Sequence, residues 1–213
     1  QGTSTVVMSD CCPTAEKVIY TFPERGVKDK LKLPEVTVTW YDGGFTPPRP
    51  AGADGMNLEN CTIFYGTKDT LICGSHGGKP WLTSGRVPKA PKKRREIKVS
   101  HEQDWIRACK ESPENRVKTA SDFSLAGPFN EMVVMGVLAV RLQGLKKELL
   151  WDGKNMKFTN IGEDEKLIFR LQNKFSVLNG NPTWNNKDTE PVYAKQFAEE
   201  LIKHNYREGW KLP

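Results

Sequence analysis

The chain has 213 residues and a formal net charge of +6, and its composition is that of an ordinary soluble globular protein. A chain of this length can bury a full hydrophobic core without disulfide bonds or bound metals. The longest apolar stretch, Met132 to Val140, is interrupted by Gly136 and is too short to span a bilayer, so we expect no membrane insertion.

The first third of the chain predicts two strands and a hairpin. Residues 17–22 and 36–40 each alternate apolar with polar side chains, which is typical of strands. Prolines between residues 46 and 50 remove backbone donors and favour an ordered loop. Two β-prone runs, Cys61–Tyr65 and Thr70–Cys73, are joined by Gly66–Asp69 and predict the hairpin.

A basic segment between residues 89 and 98 carries most of the net charge. It holds six basic side chains, Lys89, Lys92, Lys93, Arg94, Arg95 and Lys98, against the single acid Glu96. Nucleic-acid binders usually interleave aromatic side chains with their basic residues, and this segment has prolines instead. We interpret it as a solvated loop and expect no nucleic-acid partner; contact with an acidic partner or another subunit stays open.

Three helices are predicted in the second half. Ser100 with Gln103 fits an N-terminal capping box, and Pro128 in a first turn predicts the start of a second helix that Gly144 ends. The last helix is predicted from Pro191 to about Glu208. Short strands are predicted at 167–169 and 175–178. Strands that precede the helices, without alternating with them, favour an α+β fold with an antiparallel sheet and helices on one face.

The sequence lacks the motifs of several common sites. There is no G-x-G-x-x-G and no P-loop, and the glycines at 74, 77 and 78 follow a predicted hairpin, so we expect no dinucleotide bound by this chain alone. The three histidines, at 76, 101 and 204, lack ligand spacing, and no metal is expected. The five cysteines show no framework spacing, which favours free thiols, although one bridge stays open.

Five residues are candidate substrate ligands. Trp40, Tyr41 and Asp42 end a strand, where an aromatic face and a carboxylate suit a polyol; alternatively Trp40 is core and Asp42 caps the turn. Arg49 could hold a carboxylate or a hydroxyl pair through its planar fork, or it could order its loop. His76, in a glycine-rich loop, is a further candidate for a polar site residue.

Several segments together resemble the C-terminal domain of the Gfo/Idh/MocA oxidoreductase family. The most specific combination is Trp-Tyr-Asp-Gly-Gly at 40–44 followed by Pro-Pro-Arg-Pro at 47–50. The other segments are Tyr20–Gly26, Gly66–Gly74, His101–Cys109, Ser121–Phe123, Gly127–Glu131, Trp151–Met156 and Tyr206–Trp210. The resemblance covers nearly the whole chain, and the segment from about Gly162 to Thr189 is longer than in many relatives.

The resemblance implies one substrate-side domain over residues 1–213, with an open, mostly antiparallel sheet like that of dihydrodipicolinate reductase and helices packed on one face. It further implies a separate N-terminal Rossmann domain that binds NAD or NADP, and homo-oligomers formed through the sheet. The family oxidises sugars or cyclitols, and some relatives cleave glycosides. The family's Glu-Lys-Pro and Asp-x-x-x-His segments, which supply catalytic groups, do not occur in these residues. No catalytic residue is therefore assigned, and we expect the chain to be inactive by itself.

The alternative function is a stand-alone carbohydrate-binding or assembly module without catalysis. A basic-loop module for nucleic acid is a third hypothesis, and it predicts binding that weakens steeply with salt. The resemblance implies a bacterial source and leaves both a periplasmic and a cytoplasmic location open.

Overall fold

A computed structural model describes residues 1–5, 11–27, 31–87, 99–203 and 206–211. The basic segment at 89–98 and His204 lie outside the described residues. The strands are β1 (Gly2–Ser4), β2 (Glu16–Phe22), β3 (Arg25–Val27), β4 (Leu31–Leu33), β5 (Val36–Asp42), β6 (Cys61–Tyr65), β7 (Thr70–Gly74), β8 (Trp81–Leu82), β9 (Trp151–Asp152), β10 (Lys157–Phe158), β11 (Lys166–Leu167), β12 (Arg170–Leu178), β13 (Asn181–Asp188) and β14 (Val192–Tyr193). The described α-helices are α1 (His101–Lys110), α2 (Phe123–Arg141) and α3 (Ala194–Ile202).

All described strand pairs are antiparallel, and the mixture of helices and antiparallel strands agrees with the α+β class. The strands form two three-stranded sheets, β1–β2–β5 and β6–β7–β8, and several two-stranded pairs. In the described part they do not join into the single open sheet that the resemblance implies. Several strands have only two or three residues, too few to build a broad sheet.

The described part of the chain divides into two compact units. The first unit comprises residues 1–46 together with 123–213, and the second comprises residues 47–122. Along the sequence, the second unit is therefore inserted between β5 and α2 of the first.

In the first unit, α2 packs on the sheet β1–β2–β5 through small residues. Val18 of β2 is buried against Ala139 and Val140 of the helix. Gly136 allows the close approach, because a Cβ atom there would lie 2.2 Å from the Tyr20 hydroxyl oxygen. Full burial of a side chain such as Val18 stabilises the fold by about 1.5–3 kcal/mol.

A second core cluster lies where α3 meets the short strands β11 and β14. Its buried residues are Leu142, Ile161, Leu167, Phe169, Ala194 and Ala198. The rings of Phe169 and Phe197 lie 4.9 Å apart between centroids. This cluster joins the chain after α2 to the last helix.

In the second unit, Ser100 is confirmed as the N-cap of the predicted capping box. The Ser100 side chain accepts a hydrogen bond from the Gln103 backbone N–H at 3.2 Å, and α1 begins at the next residue. The Asp104 carboxylate, which is buried, accepts from Arg107 and from the backbone N–H of Ala120. These bonds tie the helix to the loop that follows it. The predicted hairpin of β6 and β7 is confirmed as well.

Two helix starts differ from the prediction. Helix α2 begins at Phe123, so Pro128 lies inside the helix. A proline there lacks the N–H for one helical bond and its ring crowds the carbonyl four residues earlier, which weakens or kinks the helix without having to start it. Helix α3 begins at Ala194 and not at Pro191, because Val192 and Tyr193 pair with β11 as a strand.

The early start gives α2 a length of 19 residues. With a mean hydropathy of 1.5 over its most apolar window, it is the one described helix that could cross a membrane by length and composition. Only 22% of that window is buried. Core helices of soluble proteins pass the same test, and α2 packs on a sheet along one face.

Candidate functional site

The register of β2 and β5 places Trp40, Asp42 and Glu16 on one face of their sheet. Val18 lies opposite Trp40, and Glu16 lies opposite Asp42. Because side chains alternate along a strand, Trp40 and Asp42 project to the same face, which is also the face of their cross-strand partners. An indole and two carboxylates therefore lie side by side at one end of this strand pair.

Trp40 is a surface residue of the first unit. Its exposure is 57%, so the alternative that it is a core residue does not hold for this chain. Val38 and Val36 continue the same face of β5 and are also exposed. The result is an apolar row along β5 that ends in an acidic pair.

Asp42 has the turn-capping role that the sequence offered as the alternative. Its Oδ1 accepts a hydrogen bond from the Gly43 backbone N–H at 2.7 Å, so the carboxylate does cap the turn. Gly43 has a φ of +63°, and a Cβ atom there would lie 1.9 Å from the carbonyl oxygen of Thr14. The turn that fixes the Asp42 carboxylate thus depends on a glycine at position 43.

Glu16 is the residue of this face that the sequence analysis missed. Partial burial raises the pKa of the Glu16 carboxyl, and the neighbouring Asp42 charge raises it further. Burial also raises the pKa of the Tyr20 hydroxyl, with a smaller contribution from Glu16. Two carboxylates beside an indole form an acceptor-rich surface suited to hydroxyl groups. Only the strand register reveals Glu16, since 26 positions separate it from Asp42 in the sequence.

Tyr41 lies on the opposite face of the same sheet. There its ring lies 5.5 Å from the Lys17 ammonium, and Lys17 is its direct cross-strand partner. The structure therefore brings Trp40 and Asp42 together and separates Tyr41 from them.

Arg49, in the second unit, orders its own loop. Its Nη1 donates to the carbonyl oxygens of Ala53 at 2.5 Å and Met56 at 2.8 Å. Ala53 is fully buried, so these bonds hold the loop closed around it. This geometry matches the loop-ordering alternative for Arg49.

His76, also in the second unit, lies in a 3-10 turn, Ser75–Gly77, between β7 and β8. Its side chain is exposed, and its backbone has a φ of +59°, which is uncommon for a residue other than glycine. The nearby glycines at 74, 77 and 78 belong to this turn, and no α-helix begins there. A dinucleotide pyrophosphate needs a helix N-terminus, so this loop does not fit that group.

Among the residues that the structure describes, no group of three His, Cys, Asp or Glu side chains could hold a metal ion. Neither the known family models nor the curated proteins include a match to this chain.

Proposed function

We propose that this chain is the substrate-side part of an NAD(P)-dependent oxidoreductase that acts on a sugar, cyclitol or glycoside. The nucleotide would be held by a separate dinucleotide-binding domain of the Gfo/Idh/MocA type. The observation that carries the substrate class is the exposed Trp40 beside the carboxylates of Asp42 and Glu16.

This face has the two features that polyol recognition needs. The flat, half-exposed indole of Trp40 offers an apolar surface to the C–H face of a sugar ring. The carboxylates accept hydrogen bonds from ring hydroxyls, and charged acceptors form stronger bonds than neutral ones. Because β2 and β5 are paired over seven residues, this face is held by a rigid element, which favours precise orientation.

The exposed face of α2 supports a covering domain. Phe129, Val133 and Val137 recur every four residues along the helix, and each is about half exposed or more. Phe123, at the helix start, is 88% exposed. Contiguous apolar surfaces on soluble proteins usually mark an interface, and we assign this one to the dinucleotide-binding domain.

A protein, and not a lipid bilayer, is the proposed cover for α2. The buried face of the helix packs on Val18 and Tyr20 of β2, and Glu131 lies within its apolar stretch. The Glu131 carboxylate accepts a hydrogen bond from the Trp151 indole at 2.7 Å. Burying such a charge in hydrocarbon would be costly, whereas a protein partner can supply donors to it. Val36 and Val38, farther along β5 from the acidic pair, are the proposed contact for homo-oligomers, which leaves Trp40 open to the sugar.

Sugar binding tests the proposed substrate class directly. We expect glucose or myo-inositol to shift the NMR signals of the Trp40 indole and of the Glu16 and Asp42 amides. Trp40→Ala should weaken binding roughly three- to tenfold, the value of a stacked aromatic contact. Trp105→Ala is the matched control, since Trp105 is 63% exposed but lies on α1 in the second unit. An equal loss of sugar affinity in both variants would refute a specific role of Trp40 in sugar binding.

The intact mass and reading frame of the native protein test the cofactor assignment. We expect a product of roughly twice this length that contains G-x-G-x-x-G and reduces NAD or NADP when a sugar is oxidised. A native product of these residues alone would refute the oxidoreductase assignment.

The second candidate function, a carbohydrate-binding or assembly module, rests on the same face of Trp40, Asp42 and Glu16. It predicts sugar binding by this chain without any reaction of NAD or NADP. The two experiments together separate the candidates, because the first tests the face and the second tests the chemistry.

A further inference from the structure

The hairpin of β12 and β13 turns at the only Asn-Gly pair in the sequence, Asn179–Gly180. Both residues have left-handed backbone, with φ of +51° and +78°, as a two-residue type I′ turn requires. Leu178 is paired with Asn181 across the turn. Because the ladder bonds run between residues of such pairs, the nitrogen of Gly180 is not held by the hairpin ladder.

An Asn-Gly pair in an open turn can form a ring without an enzyme. The Gly180 nitrogen attacks the side-chain carbonyl carbon Cγ of Asn179, a new C–N bond forms, and the Cγ–Nδ2 bond breaks. Ammonia leaves with the hydrogen of the Gly180 N–H, and a succinimide remains. Water then opens the ring, at the main-chain carbonyl of Asn179 to give isoaspartate or at Cγ to give aspartate. Glycine favours the attack because no Cβ shields its nitrogen.

The structure leaves this turn accessible. Asn179 and Gly180 are both exposed. Apart from its chain neighbours, no described atom lies within 4 Å of the Cβ position of Gly180. In the described part of the chain, β12 and β13 pair only with each other. Isolated two-stranded hairpins are marginally stable and their ends open readily, so the turn can reach the geometry that the attack needs.

Three Asp-Gly pairs could form the same ring, and the structure restrains two of them. At Asp42–Gly43, the glycine is packed so closely that a Cβ atom would lie 1.9 Å from the Thr14 carbonyl oxygen. At Asp152–Gly153, Asn155 donates hydrogen bonds to both carboxylate oxygens. The third pair, Asp54–Gly55, is exposed, but a carboxylate anion is a poorer electrophile than an amide. The structure therefore singles out the Asn-Gly turn.

We propose that Asn179–Gly180 is a site of spontaneous deamidation and that its isoaspartyl product is a substrate for carboxyl methylation by an enzyme that uses S-adenosylmethionine. Isoaspartate places an additional methylene in the main chain of the turn and adds a negative charge. Turn geometry fixes the register of a hairpin, so the product should lose the pairing of Leu178 with Asn181. The site is independent of the proposed oxidoreductase function.

Ageing of the whole chain at neutral pH tests the site. Samples are labelled by methyl transfer from radioactive S-adenosylmethionine with a purified isoaspartyl carboxyl methyltransferase, and peptide mapping by mass spectrometry locates the label. The label should accumulate at position 179, in a peptide whose mass shows an amide replaced by a carboxylate. Positions 42 and 152 should gain label only when the chain is aged in urea, whereas position 179 should gain it in the native chain as well.

Two variants of the turn sharpen the assignment. Asn179→Gly removes the reactive amide and keeps the turn, because glycine adopts the left-handed backbone that the turn needs, and it should lose all label at this site. Asn181→Ser is the matched control and should keep the label, since Asn181 is followed by Pro182, whose nitrogen carries no hydrogen to give up. Hydrogen exchange of the Leu178 and Asn181 amides should lose protection in the aged chain and keep it in aged Asn179→Gly.

Three results would overturn the proposal. Label confined to position 54, or label that persists in Asn179→Gly, would place the reaction elsewhere. Label at position 179 that appears in urea but not in the native chain would show that the folded turn blocks the attack. Unchanged protection of the Leu178 and Asn181 amides in labelled chains would refute the loss of pairing.

Discussion

Replacing Gly43 by alanine tests whether the turn after β5 holds the candidate sugar-binding face in place. Gly43 has a φ of +63°, and a Cβ atom there would lie 1.9 Å from the Thr14 carbonyl oxygen and 2.5 Å from the Ala15 Cα. Both contacts are with backbone, so no side-chain rotation can relieve them. The strand ends at Glu16 and Asp42 would have to separate.

Gly44 provides the matched control, because it has a φ of +97° and nothing within 4 Å of its Cβ position. Left-handed backbone costs an alanine about 1–2 kcal/mol, so Gly44→Ala should destabilise the first unit by about that amount. Gly43→Ala adds the clash and the loss of pairing at the strand ends, for a total of about 3–5 kcal/mol.

Urea unfolding of the whole chain, followed by hydrogen exchange of the β2 and β5 amides, measures both variants. The exchange data assign the loss to the first unit, which could unfold separately from the second. Gly43→Ala should also abolish sugar binding, whereas Gly44→Ala should retain it. Equal destabilisation by both substitutions would refute the close contact with Thr14 and leave only backbone strain.

Three further predictions concern a helix cap and two carboxylates. Ser100→Ala should destabilise α1 by about 1 kcal/mol in urea unfolding, and Ser100→Asp, which keeps a capping acceptor for Gln103, should not. Hydrogen bonds from Ser84 and Arg86 lower the pKa of Asp69 to about 2. The stability contributed by its charged form is therefore present above the unfolded pKa and is lost as pH falls through 2. The loss of unfolding free energy in Asp69→Asn should shrink between pH 4 and pH 2, and a constant loss would contradict the assignment. Burial raises the pKa of the Glu16 carboxyl from its ordinary value of 4.5. The stability that its protonated form contributes is therefore present below the unfolded pKa and is lost as pH rises through the folded pKa. Glu16→Gln should remove this pH-dependent loss of stability in thermal unfolding curves measured from pH 4 to pH 7.

Local patterns predicted the elements that depend on short-range interactions. The alternation at 17–22 and 36–40 predicted β2 and the first five residues of β5, and the turn at Gly66–Asp69 predicted the hairpin of β6 and β7. Ser100 and Gln103 predicted the start of α1 because a cap is formed within four residues. The helix starts predicted from Pro128 and Pro191 were wrong. Helix α2 begins before its proline, and strand pairing of Val192 and Tyr193 delays the start of α3.

The candidate site shows the same division. The sequence offered Trp40 and Asp42 as candidate sugar ligands, and their spacing of two residues already places them on one face of a strand. It grouped Tyr41 with them, although strand geometry sends that ring to the other face. The role of Arg49 depended on which carbonyls its loop presents, and the contacts with Ala53 and Met56 are set by the folded loop.

The sequence by itself determined the α+β class, the positions of β2, of β5 and of the hairpin of β6 and β7, the start of α1, and the residue types of the candidate polyol-binding surface. These follow from periodicity and capping, which act over a few neighbouring residues. The tertiary structure alone decided that Glu16 faces Asp42, that Trp40 is exposed and that α2 presents an apolar face. Such neighbours are distant in the chain and meet only through strand register and helix packing, which no local pattern encodes.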